Sequence, residues 1–169
     1  MADLEKLLSE AGASAFKRRI VNFVLARFIP FNQPHGFRIS EVFDDGVKIN
    51  LPYKRVNKNH INGIHACALA TLSEYASGLT LARHLNRENV RLIMKDLKMT
   101  YHYQAKSNVS VEMHISRSRI EKEILLKLQS DASAYFNIVA EVYDSEKNHI
   151  CTGETNWQVK KWDKVRTKS

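Results

Sequence analysis

Three side chains in the middle of the sequence are of types suited to acid–base chemistry, and the intervals between them are informative. Asn59 is followed six positions later by His65 and a further nine positions later by Glu74. A carboxylate can take a proton from water or attack an electrophile, while imidazole and amide groups donate and accept hydrogen bonds. His60, His65 and Cys67 match no common zinc-ligand spacing, so we expect no metal site here.

The segment from Ile64 to His84 predicts the longest helix, because it is rich in Ala and Leu and contains no Pro. His65 and Ala66 lie where this helix begins, and the first backbone N–H groups of a helix are unpaired and carry a partial positive charge. Glu74 lies about two and a half turns after His65, on the opposite side of the helix. Within one chain, Glu74 therefore cannot serve the same reacting atom as the helix start.

The stretch from Asn59 to Ala76 resembles the hotdog thioesterases of the phenylacetate-pathway type. Those proteins carry an Asn in the loop, a His-Gly pair six residues later at the helix start, and an Asp or Glu nine residues after the His. Asn59, His65 and Glu74 match this pattern with both intervals kept, and residues 68–76 are similar to the family's central helix. The sequence departs from the pattern at Ala66, where the family has Gly.

The resemblance implies hydrolysis of acyl-coenzyme A to a free acid and a thiol, with Glu74 as the base or nucleophile. Asn59 would position the water or the carbonyl, His65 would orient the loop, and the helix start would hold the oxyanion. In this family the site lies between two subunits, so we expect a homodimer, with a dimer of dimers as a further possibility. Further predictions are Gly63, Ala66, Ala70 and Tyr75 for the acyl group, and Lys54, Arg55 and Lys58, or else Arg117 and Arg119, for the phosphates of coenzyme A. No separate cofactor is expected.

Other interpretations of these residues stay open. His60 and Glu74 have the fourteen-residue interval of the hotdog dehydratases of β-hydroxyacyl thioesters, although Asn62-Gly63 stands where those enzymes have Pro-Gly. A domain of this fold can also bind acyl-coenzyme A or a fatty acyl chain without turnover. In structural terms, Asn59 could be a turn former, His65 a buried structural histidine and Glu74 a surface residue.

The N-terminal third predicts two helical segments. The first has Leu4, Leu7 and Leu8 at helical spacing, and the second has an apolar stripe of Phe16, Ile20, Phe23, Val24 and Phe28 with basic residues mostly beside it. Pro30 and Pro34 end the second segment. A basic amphipathic helix can lie on a membrane, but we expect this stripe to cover a sheet or a partner subunit.

The remaining segments predict strands. Asp44-Asp45-Gly46 between alternating apolar runs is typical of a hairpin, and four antiparallel strands follow the long helix, the first from about Leu97, with a helical interruption over 119–130. The fold class is therefore α+β, with the long helix either wrapped by the antiparallel sheet or packed on one face of it. Together with the resemblance, this predicts a hotdog fold in which the sheet wraps around the long helix. We expect a single domain with a helical extension over 1–30, a hotdog core over 36–162 and a basic tail over 163–169.

Composition adds a strongly basic balance. The formal net charge is +8, which attracts anions of many kinds, including the phosphates of coenzyme A. No helix-turn-helix, zinc-finger or RNP-type motif accompanies the charge, so no nucleic-acid partner is expected. Two cysteines without CxxC spacing, and the lack of a leader or a long apolar segment, predict a cytoplasmic protein with no membrane span.

Overall fold

The computed structural model describes residues 4–85 and 88–165, in which helices and strands follow largely the predicted order. The helices α1 (Leu4–Ala13) and α2 (Ala15–Phe28) precede the strands β1 (Arg38–Val42) and β2 (Gly46–Leu51). The long helix α3 (Ala66–His84) leads to β3 (Val90–Tyr101) and β4 (Val109–His114). The predicted helical interruption consists of α4 (Arg117–Ile120), a π-helical turn over Glu121–Leu125 and α5 (Lys127–Ser130). The last two strands are β5 (Ser133–Asp144) and β6 (His149–Lys161).

All six strands form one antiparallel sheet in the order β1-β2-β4-β5-β6-β3. The helix α3 packs across this sheet and contacts every strand from β2 to β6. Leu72, Leu81 and Ala76 of α3 are fully buried, as are Phe136 and Val111 of the sheet. A single long helix enclosed by one antiparallel sheet confirms the predicted α+β hotdog fold.

Two glycines let α3 approach the sheet closely. A Cβ on Gly153 of β6 would lie 2.6 Å from the Cβ of Ser73, and a Cβ on Gly78 would lie 2.7 Å from Cη2 of Trp157. The indole Nε1 of Trp157 also donates a hydrogen bond to Oγ of Ser77 at 3.1 Å. A larger side chain at either glycine would push the helix away, because packed interiors have few voids.

The strand β3 begins seven residues before the predicted start, at Val90 rather than Leu97. Its pairing register with β6 shifts between Met94 and Asp96, because Lys95 is an additional residue without a partner in β6. The side chains that face inward therefore have even numbers before Lys95 and odd numbers after it. The strand is also at the edge of the sheet, and its inward-facing residues are only partly buried. A β-bulge interrupts the alternation on which the prediction was based.

We expected the apolar stripe of α2 to cover a sheet or a partner subunit. The first alternative is wrong for the chain's own sheet, because the stripe faces away from the core, whereas contact with a partner subunit stays a prediction. Phe16, Phe23 and Phe28 are exposed, while the opposite side of α2 buries Val21. On the sheet-facing side, the amide of Asn22 accepts a hydrogen bond from the backbone N–H of Ile39 at 2.8 Å and donates to its carbonyl at 3.0 Å. These contacts satisfy the backbone groups of Ile39 on the open edge of β1 and set the orientation of α2.

No helix within residues 4–85 and 88–165 is long and apolar enough to cross a membrane. The predicted basic tail begins at Asp163, and its residues 166–169 lie outside the described part of the chain.

Gly46 is required by a close contact with the neighbouring strand. A Cβ at Gly46 would lie 1.7 Å from the carbonyl oxygen of Met113, on the adjacent strand β4. The backbone of Gly46 is not in the left-handed conformation, so the requirement for glycine comes from this contact. Gly36, by contrast, has a left-handed φ of 73°. We therefore expect Gly46→Ala to lower the free energy of unfolding by about 2 kcal/mol or more, as overpacking typically does. Urea denaturation measures this change.

Gly12→Ala is the matched control. A Cβ at Gly12, in α1, would lie 3.4 Å from Val42, which is ordinary contact. Since Ala favours a helix over Gly by up to about 1 kcal/mol, this variant should be neutral or slightly stabilised. Equal losses in the two variants would contradict the proposed packing constraint.

Candidate active site

The loop before α3 is anchored by Asn57, which is fully buried. Its Nδ2 donates to the carbonyls of His35 at 2.9 Å and Pro52 at 2.8 Å, and its Oδ1 lies 2.9 Å from Nδ1 of His35. Its own carbonyl accepts a hydrogen bond from the backbone N–H of His65 at 2.8 Å. Asn57 therefore determines where α3 begins. The sequence gives no sign of this role, because only burial distinguishes Asn57 from the other asparagines of the loop.

Asn59 shapes the turn that follows. Its Oδ1 accepts hydrogen bonds from the backbone N–H groups of Ile61 at 3.1 Å and Gly63 at 2.9 Å, and its own N–H donates to the Gly63 carbonyl at 2.9 Å. Gly63 itself is buried, and a Cβ there would lie 2.8 Å from Cγ of Gln104. The Oδ1 of Asn59 is thus used by the loop, while its Nδ2 group has no acceptor among the described residues.

His65 is the N-cap of α3. Its Nδ1 accepts a hydrogen bond from the backbone N–H of Cys67 at 3.1 Å, which requires an unprotonated Nδ1 and so favours the tautomer with hydrogen on Nε2. Tyr101 of β3 donates its hydroxyl hydrogen to the Ala66 carbonyl at 3.1 Å. Within the described chain the backbone N–H of Ala66 has no acceptor, and Ala66 is exposed. The helix start therefore presents an available N–H donor.

Tyr101 is a second residue near the helix start that has no motif in the sequence. Its position at the end of a long alternating strand indicated only a sheet residue. The contact with Ala66 joins residues thirty-five positions apart and follows from the pairing of β3 with β6. Such a contact has no local sequence signal.

Glu74 lies half-buried on α3, and burial raises the pKa of its carboxyl group. No side chain in the described part of the chain donates a hydrogen bond or forms an ion pair with this carboxylate. The neighbouring Tyr75 is buried, with its ring 5.9 Å from that of Phe37, and burial together with Glu74 raises the pKa of its phenol. An unpaired carboxylate in a desolvated position binds protons more readily than an ordinary Glu.

One side of α3 stays partly accessible, and we call it the accessible side. It runs from Cys67, which is exposed, through the partly exposed Ala70 and Thr71 to Glu74. The Ala66 N–H and Glu74 are separated by about 12 Å along the helix axis, at 1.5 Å per residue. A single chain therefore presents the two groups of the predicted site but does not bring them to one point.

The basic residues predicted for coenzyme A flank the anchored loop. Lys54 and Arg55 are exposed, and Nζ of Lys58 lies 3.7 Å from the ring centre of Tyr53. The alternative pair is already engaged within the chain. Arg117 bonds Glu121 and the His84 carbonyl, and Arg119 bonds Glu123 and the Asn137 carbonyl. The loop lysines and Arg55 are thus the more available cations.

A surface cavity of about 520 Å³ lies elsewhere, between the start of β3, the helical interruption and the end of β6. Its lining includes Glu88, Leu128 and Lys161, and none of the predicted site residues. Among the described residues, no group of three or more His, Cys, Asp or Glu side chains could hold a metal ion.

Solved structures share this fold. A protein of unknown function from Pseudomonas aeruginosa, described as a probable thioesterase, superposes with a TM-score of 0.77 at 20% identity, over 84% of this chain and 94% of that one. A thioesterase from Haemophilus influenzae gives a TM-score of 0.59 at 14% identity, over 76% and 81% of the two chains. A mutant thioesterase from Staphylococcus aureus gives a TM-score of 0.59 at 14% identity, over 77% of this chain and 98% of that one. At these identities the likeness shows the fold.

Sequence comparison adds a family. The family described as a domain of unknown function, DUF4442, matches residues 17–159. This range covers the loop, α3 and β1 to β5 completely, and all but two residues of α2 and of β6. No curated protein matches the chain.

The unpaired Glu74 carboxylate should reduce the stability of the folded protein at neutral pH. Because burial raises its folded-state pKa, the fold favours the protonated form, and this stabilisation is lost as the pH rises through that pKa. We therefore expect Glu74→Gln to have a higher Tm than the wild type at pH 7, with the difference shrinking toward pH 4. Thermal unfolding followed by circular dichroism at the two pH values measures it.

Glu146→Gln serves as the control, because Glu146 is exposed in the turn between β5 and β6. Its Tm should equal that of the wild type at both pH values. A Glu74→Gln variant that is less stable than the wild type at pH 7 would show that the carboxylate has a stabilising partner.

Proposed function

This chain belongs to the DUF4442 domain family, and we propose that it hydrolyses acyl thioesters, with acyl-coenzyme A as the substrate. The observation that carries this proposal is the half-buried, unpaired Glu74 on the accessible side of a hotdog helix. A groove that only holds an acyl chain has little use for a desolvated carboxylate, whose charge costs free energy. Three structural neighbours are described as thioesterases or a probable thioesterase, which supports the same reaction class.

In this proposal the Glu74 carboxylate takes a proton from a water molecule, and the water oxygen adds to the thioester carbonyl carbon. The tetrahedral intermediate then collapses, the carbon–sulfur bond breaks, and the proton held by Glu74 passes to the departing thiolate. Direct attack of the carboxylate on the carbonyl, followed by hydrolysis of the mixed anhydride, uses the same residue and the same products. In both routes Glu74 must be ionised at the start of the cycle.

The oxyanion of the intermediate would be held by the free N–H of Ala66, assisted by the positive end of α3. Since Glu74 lies about 12 Å along the helix from its own Ala66, the two groups must come from different subunits. A homodimer that places the helix start of one chain against Glu74 of the other meets this need. A monomer with full activity would contradict the shared site.

The other two predicted residues would act through their remaining polar groups. With Oδ1 of Asn59 used by the loop, its Nδ2 group would donate to the water or to the carbonyl oxygen. His65 would hold the helix start in place through its Nδ1 contact with Cys67, leaving Nε2–H as a donor toward solvent. These assignments make His65 a positioning residue, whereas Asn59 would contact the reacting water or the carbonyl directly.

The first test is free-thiol release from short, medium, long and aromatic acyl-coenzyme A esters. We expect turnover by the wild type and a loss of about two orders of magnitude or more in Glu74→Gln, since general-base catalysis contributes about that much. The rate should rise with pH through a pKa above that of an ordinary Glu, because the ionised form is the active one.

The variant Glu146→Gln should retain wild-type rates. Folded wild-type protein without thiol release on any ester would overturn the hydrolase proposal. Hydration of an enoyl-coenzyme A ester under those conditions would identify a dehydratase, and calorimetric binding without turnover would identify an acyl-binding protein.

The predicted role of the loop cations has a separate test. Replacing Lys54 and Arg55 together by Gln removes two charges beside the loop and should raise KM for coenzyme A esters by about tenfold or more, with little change in kcat. The same acyl group on N-acetylcysteamine, which carries no phosphate, should show unchanged kinetics. Steady-state assays on both thiol carriers measure the difference.

The control for the loop cations is the pair Lys122→Gln and Lys127→Gln, which are exposed on the helical interruption. It changes the net charge equally and should leave KM unchanged. Equal effects of the two pairs would mean that general charge, rather than a loop site, attracts the substrate.

A further inference from the structure

The outer side of α2 has an unusual concentration of exposed aromatic residues. Phe16, Phe23 and Phe28 are 71%, 69% and 73% exposed, and Ile20 and Val24 are about half exposed. Phe31, in the turn after the helix, adds a further exposed ring at 66%. We call this set the aromatic face of α2. Single exposed apolar residues are normal, but a continuous set marks an interaction surface.

Cations accompany the aromatic face and acids do not. The helix contains Lys17, Arg18, Arg19 and Arg27, and no Asp or Glu. Arg18 turns back to the Ala11 carbonyl and Lys17 pairs with Glu10, but Arg19 and Arg27 form no ion pair within the described residues. At helical spacing Arg27 lies one turn after Phe23, on the aromatic face itself. The surface is thus both apolar and positively charged.

The fold holds this face outward. The opposite side of α2 is attached through the buried Val21 and through the two hydrogen bonds between Asn22 and the edge strand at Ile39. Turning the aromatic face inward would break those bonds and leave the edge of β1 unpaired. The exposure of the rings is therefore part of the folded structure.

We infer that the aromatic face of α2 binds an anionic lipid surface. The phenylalanine rings would enter the boundary between headgroups and acyl chains, while Arg19 and Arg27 pair with lipid phosphates, as interfacial amphipathic helices do. A second copy of the chain fits this face less well. Symmetric contact between two such helices would bring arginines together without an acid in either helix, on a chain with a net charge of +8.

A row of aromatic rings connects this face with the helix that carries Glu74. The distances between successive ring centres are 5.5 Å from Phe31 to His35, 5.7 Å from His35 to Phe37 and 5.9 Å from Phe37 to Tyr75. This row runs through the buried rings of Phe37 and Tyr75, so it links the region of α2 to the element that carries the candidate site through the protein core. A lipid contact at α2 could bring acyl thioesters dissolved in the membrane to the candidate site. That role rests on the proposed function, whereas the lipid contact itself does not.

The test is sedimentation of the full-length protein with vesicles of phosphatidylcholine alone or with 30% phosphatidylglycerol, at low and high salt. We expect binding to the anionic vesicles only, weakened by salt. Phe23→Ser with Phe28→Ser should weaken binding at least tenfold, and Arg19→Gln with Arg27→Gln by about thirtyfold, at about fivefold per charge. Circular dichroism confirms that each variant is folded.

The matched controls alter surfaces away from α2. Tyr135→Ser with Val139→Ser removes two exposed apolar residues of β5, and Lys122→Gln with Lys127→Gln removes two charges. Both pairs should bind vesicles like the wild type. Absence of wild-type binding to anionic vesicles, or binding that survives both α2 pairs, would overturn the inference.

Oligomeric state and activity separate the remaining outcomes. Sedimentation equilibrium should give the same mass for the wild type and both α2 pairs. Dissociation caused by the Phe23 and Phe28 changes would instead assign the face to a subunit interface. Hydrolysis of a short water-soluble thioester should be unaffected by the α2 pairs, so failure of the lipid contact is distinguishable from failure of the proposed hydrolysis.

Discussion

The close packing of α3 against the sheet is the contact on which the rest of the structure depends. It requires Gly153 opposite Ser73 and Gly78 opposite Trp157, where any Cβ would lie within 3 Å of a packed atom. Because the approach is so close, the apolar residues of the helix are buried almost completely by the strands around it. The same packing leaves only the accessible side of α3 open, and Glu74 lies on it.

The start of α3 is determined by polar contacts rather than by apolar packing. Asn57 is fully buried with its amide donor and acceptor both used, and its carbonyl receives the His65 N–H. A buried amide whose hydrogen bonds are satisfied specifies one backbone arrangement, since alternatives would leave polar groups unpaired. The free N–H of Ala66 is therefore presented by a rigid loop. That rigidity is what an oxyanion donor needs.

Each of the two proposed surfaces lowers the stability of the single chain, for a different reason. An unpaired carboxylate is desolvated at Glu74, and exposed rings contact water at Phe16, Phe23 and Phe28. Neither arrangement is explained by the stability of a single subunit, since folding favours paired charges and buried rings. Each fits the outside contact proposed for it, which is a substrate and a second subunit at α3 and a lipid surface at α2.

From the sequence alone, apolar periodicity and turn residues determined the α+β class, the helix carrying Glu74 and most of the order of helices and strands, because these are local signals. The resemblance of residues 59–76 to a known family added the hotdog fold. Asp-Gly predicted the hairpin at Gly46, although the close contact with Met113 is what requires the glycine. Only the tertiary structure showed the bulge in β3, the burial of Asn57, the contact between Tyr101 and Ala66, and the outward face of α2. These features join residues far apart in the chain, so composition and spacing carry no signal for them. The sheet leaves some backbone N–H and C=O groups unpaired, and side chains distant in the sequence bind to them.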